Sequence, residues 1–96
     1  MTNYAKGYRV ERRAGQLYLE RGYHTIIYSR GSHGPADFVA VGYDHNAFVQ
    51  AKSTVRNRPS YKAEIEEFEA WPVPERDIKE FLIWLKNKRQ WVIVPC

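Results

Sequence analysis

Four polar side chains stand where a fold alone does not need them. Asp37 closes the run "GSHGPAD" (31–37), and Gln50 and Lys52 lie two residues apart in "FVQAKS" (48–53). Glu11 falls within an N-terminal stretch otherwise patterned in small and aromatic residues. Hydrolysing a phosphodiester without a covalent intermediate makes three demands. The attacking water must be made more acidic, the charge of the transition state neutralised, and the leaving oxygen stabilised. Mg²⁺ held by hard oxygen ligands helps with all three, and a nearby lysine orients water or binds phosphate. Glu11, Asp37, Gln50 and Lys52 have the residue types for that task. Gln50 is the unusual member, since a carboxylate is more common there; its carbonyl still offers lone pairs to a hard cation, with one negative charge fewer. Each residue also has an ordinary reading: a loop Asp, a solvated Gln-x-Lys face, a helix Glu paired with an arginine.

The elements that must position these groups follow from periodicity. "TNYAKGYRVERRAGQLYLERGY" (2–23) reads as a helix, capped at Thr2 or Asn3 and ended at Gly22. At 100° per residue, Tyr4, Gly7, Tyr8, Glu11, Ala14, Gly15 and Tyr18 form one stripe, so Glu11 is centred on the core-facing side. Gly7 and Gly15 each lower helix stability by roughly 1 kcal/mol relative to Ala, which suits a face in close approach to a sheet or ligand. Strands are expected over 24–29, 36–41 and 47–53, the last two joined as a hairpin through "GYDHN". Two-residue alternation sends Phe48, Gln50 and Lys52 to one side of the third strand, and Ala47, Val49 and Ala51 to the other.

Residues 56–74 hold a short helix or an irregular excursion ended by Pro72 and Pro74. Residues 75–89 read as a second long helix: Ile78, Phe81, Leu82 and Leu85 fit the i, i+3, i+4, i+7 pattern, with acids first and bases last. "WVIV" (91–94) reads as a final buried strand. The sum is a single α/β domain over residues 1–96, with a mixed sheet of four to five strands flanked by helices.

Composition narrows the function classes. No apolar run approaches the roughly 20 residues of a membrane span, and no signal-peptide pattern opens the chain. The lone Cys96 has no partner for an internal disulfide, which fits a reducing cytoplasmic setting, or an infected host cell if the source is viral. His24, His33 and His45 lack zinc-ligand spacing. No Gly-rich nucleotide loop, Ser-His-Asp triad or cysteine nucleophile is present, so no small-molecule cofactor is expected. The net charge of +4 is unevenly spread: residues 1–22 carry five Lys/Arg against two Glu, whereas residues 64–80 carry seven acids against two bases. Arg9, Arg12, Arg13, Arg56, Arg58 and Lys62 could form a phosphate-facing footprint, or be no more than solvated charge. Tyr61, Phe68, Trp71 and Trp84 suit either a dimer interface or the core.

Taken in order, Glu11 in "GYRVERRAGQLYLERGY", then "YSRGSHGPADFVAV" with Asp37, then "FVQAKS" with Gln50 and Lys52, resembles the PD-(D/E)xK nuclease superfamily, and within it the archaeal-type Holliday junction resolvases. The likeness covers residues 5–54 well and the C-terminal part loosely. It implies a restriction-endonuclease-like core and a homodimer that nicks paired strands of a four-way DNA junction by metal-activated water. It also implies Mg²⁺, with Mn²⁺ as substitute, bound by Asp37, Gln50 and Glu11, with Lys52 as the catalytic lysine. Arg30 and Ser32 match the loop that contacts the scissile strand. Two departures stand out: the loop from Ser32 to Asp37 is short, and Gln50 replaces the acidic ligand. The alternatives are a nuclease of the same fold acting on flaps, mismatches or duplex, and a non-catalytic relative that binds branched DNA.

Overall fold

The computed structural model describes residues 3–29, 35–56 and 60–96, with side chains described from Arg9 onward. Helix α1 (Asn3–Glu20) leads into strands β1 (Thr25–Tyr28), β2 (Phe38–Val41) and β3 (Asn46–Thr54). Helix α2 (Lys62–Ala70) follows, then strands β4 (Ile78–Leu85) and β5 (Gln90–Pro95). The strands form one sheet in the order β1-β2-β3-β4-β5. The first three make an antiparallel meander, β4 runs parallel to β3 with α2 as the crossover, and β5 returns antiparallel to β4. The fold is α/β with a five-stranded mixed sheet, as expected. Among the described residues, no helix is long and apolar enough to cross a membrane.

Two cores flank the sheet. On one face, Ala14 and Tyr18 of α1 pack on Phe38, Ala40, Ala47, Val49, Ala51 and Leu82. The small residues of β3 let the helix lie close, and Gly15 carries this further: a Cβ there would collide with the Tyr28 hydroxyl. Gly22, with φ of 104°, ends the turn after α1 in the left-handed region that glycine occupies without strain. On the other face, Phe68 of α2 is buried with Phe81, Ile83 and Leu85, and Phe48, Tyr61 and Trp71 close over them. Phe68 and Tyr61 thus belong to the core.

The long helix expected over 75–89 is instead strand β4 and the turn into β5. Ile78, Phe81, Leu82 and Leu85 do have helical spacing, but they belong to a run, Phe81–Leu85, in which every residue but Trp84 is buried. A strand sandwiched between two helix-covered faces has no polar side, so it shows no alternation, and any apolar run contains helical spacings. Lys86, Lys88 and Arg89, read as the basic end of a helix, form the hairpin turn, with Arg89 at φ 50°. The final strand is also not buried. Strand β5 is a sheet edge, and its Val92 and Ile93 are exposed.

Three charged residues of this segment are buried, and each is tied down. Asp77 accepts the Asn46 N–H (2.8 Å), which pins the start of β3 to the start of β4. Glu80 accepts the Tyr18 hydroxyl (2.5 Å) and an Arg21 guanidinium N–H (2.9 Å), which pins α1 to the same strand. Burial and the Glu80 carboxylate push the Tyr18 phenol far above its usual range, so it stays a donor. Lys79 donates to the carbonyls of Phe68 (2.7 Å), Glu69 (2.6 Å) and Trp71 (2.5 Å). Those carbonyls lie at the C-terminal end of α2, where the Phe68 carbonyl also accepts the Trp71 N–H, so one ammonium group caps the crossover helix from the sheet.

Replacing Lys79 with Met should therefore cost about 2–4 kcal/mol in urea denaturation, because one buried and two half-buried carbonyls lose a charged donor at once. Lys88→Ala in the exposed turn should change stability by less than about 0.5 kcal/mol. Equal effects at the two sites would show that the cap is not structural.

Candidate functional site

Strand β3 presents the site through its alternation. Ala47, Val49 and Ala51 are buried against α1, which sends Phe48, Gln50 and Lys52 to the opposite face. Phe48 confirms the direction, its ring meeting Trp71 edge-on at 5.6 Å. In the parallel register Gln50 lies beside Phe81, and Lys52 beside Ile83, on the α2 side of the sheet. Gln50 and Lys52 therefore share a face as their spacing requires.

Asp37 enters from the adjacent chain segment. Phe38 pairs with Val49, and the Asp37 N–H donates to the Val49 carbonyl at 2.8 Å. Asp37 thus stands just ahead of β2, hydrogen-bonded across to Val49, and the regular β2–β3 pairing begins with Phe38. The Ala51 N–H donates to Asp37 Oδ2 (2.8 Å) and holds the carboxylate between the two strands. Burial raises the Asp37 pKa above the usual carboxylate range, against the opposing effects of the Ala51 N–H and the Lys52 charge.

Glu11 joins through α1. Burial raises its pKa first, and the Asp37 carboxylate raises it further; Arg12 and Lys52 pull it down. Asp37, Arg12 and Lys52 thus all bear on Glu11, and Lys52 also bears on Asp37. Arg12 is held with its guanidinium 4.3 Å over the Tyr28 ring. Tyr28 has no counterpart among the residues picked out by sequence; the available signal was the alternation of "TIIY", which puts Ile26 and Tyr28 together under Gly15.

Gln50 Oε1 is buried and has no hydrogen-bond partner among the described residues, and no other buried side-chain nitrogen or oxygen there shares that condition. A buried carbonyl without a donor is unfavourable by about 1–3 kcal/mol. An oxygen lone pair without a donor is a group that a hard divalent cation could satisfy. Of the three expected ligands, Gln50 faces the α2 side of the sheet, whereas Glu11 belongs to α1 on the other side, and Asp37 is held to the Ala51 N–H between them. Among the described residues no three His, Cys, Asp or Glu side chains gather into a metal-binding group. With an amide at position 50, the set has two carboxylates.

The other expected nucleic-acid contacts divide. Arg9, Arg12, Arg13, Arg56 and Lys62 are all exposed. Arg12 borders the site, whereas Arg13 leans the other way, 4.5 Å over the Trp84 ring, in a groove between α1 and the β4–β5 hairpin. Arg56 follows β3 beyond Lys52, and Lys62 opens α2. Arg30, Ser32 and Arg58 lie outside the described residues, as do His33 and the cap residue Thr2. No protein-family model matches the chain, and no curated protein matches it.

The raised Asp37 pKa has a stability consequence. A carboxyl that holds its proton more tightly when folded contributes stability below its unfolded pKa, about 3.9, and loses it as pH rises through the folded value. Asp37→Asn keeps the acceptor for Ala51 but no charge, so in chelator-containing buffer its Tm should exceed that of the unsubstituted protein at pH 7. The gap should close as the pH falls towards about 4. A lower Tm at pH 7 would mean that the charge is stabilised in the fold.

Proposed function

We propose that the chain is a metal-dependent endodeoxyribonuclease that cleaves phosphodiester bonds in four-way DNA junctions, working as a homodimer with one site per subunit. The carrying observation is the unpartnered Gln50 Oε1 on the same sheet face as Lys52, one residue before the Ala51 N–H that the Asp37 carboxylate accepts. The likeness of Glu11, "GPAD" and "VQAK" to the PD-(D/E)xK pattern supports the chemistry, and the likeness of the "YSRGSHGPADFVAV" segment to junction resolvases supports the substrate. Arg30 and Ser32 are proposed contacts to the scissile strand, with Arg9, Arg12, Arg13, Arg56, Arg58 and Lys62 as contacts to flanking phosphates.

Asp37, Gln50 and Glu11 would hold Mg²⁺, or Mn²⁺ in its place, which when bound neutralises phosphate charge and acidifies water. The remaining work falls to the chain itself. The Ala51 N–H fixes the Asp37 carboxylate through Oδ2 and so orients it. Lys52, two residues on from Gln50, places an ammonium group where it can donate to a non-bridging phosphate oxygen or orient the attacking water. Arg12, steadied on Tyr28, offers a second cation to the adjoining phosphate.

A second reading is a branched-DNA-binding protein without catalysis, favoured by the absence of a three-carboxylate group among the described residues. One assay separates the two. A labelled four-way junction and a matched linear duplex are incubated with the protein, with and without Mg²⁺ or Mn²⁺. Symmetric, metal-dependent nicking of the junction alone is the expected result, nicking of duplex or flaps would redirect the substrate, and binding without cutting would establish the second reading. Asp37→Asn and Lys52→Ala should each slow cutting by about 100-fold or more. Junction affinity should stay within about threefold, since each variant alters at most one phosphate contact.

A further inference from the structure

A groove of about 520 Å³ lies between α1 and the β4–β5 hairpin, on the face of the sheet away from Gln50 and Lys52. Its floor is the cross-strand pair Trp84 and Trp91, with ring centroids 5.1 Å apart and planes tilted by 59°. Its wall is one stripe of α1: Arg13, Gln16, Leu17 and Glu20. Trp84 is the one residue of the Phe81–Leu85 run that is not buried, and Trp91 beside it is half-buried. Two large rings are thus partly open to solvent in a concave surface, although full burial would stabilise the fold further. A concave aromatic floor with a few polar groups around it is the form of a ligand site.

The polar groups are ordered along the groove. At one end the Arg13 guanidinium lies 4.5 Å over the Trp84 ring, and Arg9 stands exposed one turn earlier on α1. Towards the other end are the Gln16 amide and the Glu20 carboxylate, neither with a hydrogen-bond or ion-pair partner among the described residues. Glu20 follows Arg13 by two turns of helix, about 10 Å along the axis. An unpaired nucleotide has the same order of chemistry: an anionic phosphate, a flat ring with two π-faces, and a hydrogen-bonding edge. Guanidinium groups pair with phosphate, indole rings stack on a base of any type, and an amide beside a carboxylate can meet the donors and acceptors of a base edge.

We infer that this groove holds one unpaired nucleotide of a DNA strand, with its phosphate at Arg13 and Arg9, its base on the Trp84–Trp91 pair and its base edge towards Gln16 and Glu20. The choice of DNA rests on the nuclease reading above, but the groove lies apart from Asp37, Gln50 and Lys52 and uses none of them. A base inside a duplex has its faces stacked on neighbours and its edge paired. The groove therefore takes a strand only where a base is free, at an end or in an unpaired stretch.

The test titrates the isotopically labelled full chain with a short single-stranded DNA, the same strand made abasic, an RNA of the same sequence, and a blunt duplex. The indole N–H resonances of Trp84 and Trp91 should shift with the base-bearing DNA strand, while that of Trp71, on the α2 side, stays in place. The base-bearing strand should bind at least about tenfold more tightly than the abasic one, the scale of one stacked base. Trp91→Leu should bring its affinity down to the abasic level and leave nicking of a blunt-ended four-way junction unchanged. Equal affinity for the two DNA strands, a response at Trp71 instead, or tighter binding of the RNA would overturn the inference. Shifts of Trp84 and Trp91 on dilution of the protein alone, with no response to DNA, would give the groove to a second copy of the chain and overturn it as well. These readings come from the unsubstituted protein, so they decide the matter even if Trp91→Leu fails to fold. A junction left uncut while both indoles respond to single-stranded DNA would overturn the nuclease reading and support the groove.

Discussion

The alternation of β3 is the constraint on which the rest of the molecule depends. Its even and odd positions serve two faces with opposite requirements. Ala47, Val49 and Ala51 must be small for α1 to approach, and Phe48, Gln50 and Lys52 must face α2. A slip of one residue against β2 or β4 would drive a lysine and an amide under α1 and turn the small residues to the other side. The neighbouring strands hold that register with side chains as well as ladder bonds: Asp77 fixes the first residue of β3, and Asp37 accepts from Ala51 near its end. The candidate site and the fold are thus specified by the same strand.

The treatment of buried polar groups separates structure from chemistry. Asp77, Lys79 and Glu80 are buried charges in or next to the most enclosed strand, and each has named partners. Their placement binds α1, α2 and β3 to β4, so the parallel pairing at the centre is anchored from three directions. Gln50 lies beside this well-satisfied strand with its carbonyl unpartnered, and Asp37 is held where burial works against its charge. An unpartnered buried carbonyl and a carboxylate held against burial, among polar groups that are otherwise satisfied, are the observations from which the proposed site is argued.

Much of this was legible in the sequence. The α1 stripe placed Glu11, Ala14, Gly15 and Tyr18 on one side, and β3's two-residue period put Gln50 and Lys52 on a shared face. Those signals survive because each element has one buried and one less buried side. Residues 75–89 failed for the complementary reason: β4 is covered on both faces, and its Lys79 and Glu80, which resemble helix-surface charges, are satisfied only by partners distant in sequence. The cation–π seat of Arg12 on Tyr28 and the clasp between Ala51 and Asp37 were likewise invisible, since both join elements whose pairing no local pattern reports.

The location of the proposed cation site can be read directly. Mn²⁺ added in small steps to isotopically labelled protein broadens the amide resonances nearest the ion. The account predicts that the Gln50 side-chain amide and the backbone amides of Asp37 and Ala51 broaden first in the presence of a DNA junction, and recover on chelation. Broadening confined to the acidic surface of α2, at Glu64, Glu66, Glu67 and Glu69, with the Asp37–Ala51 signals unmoved, would contradict it.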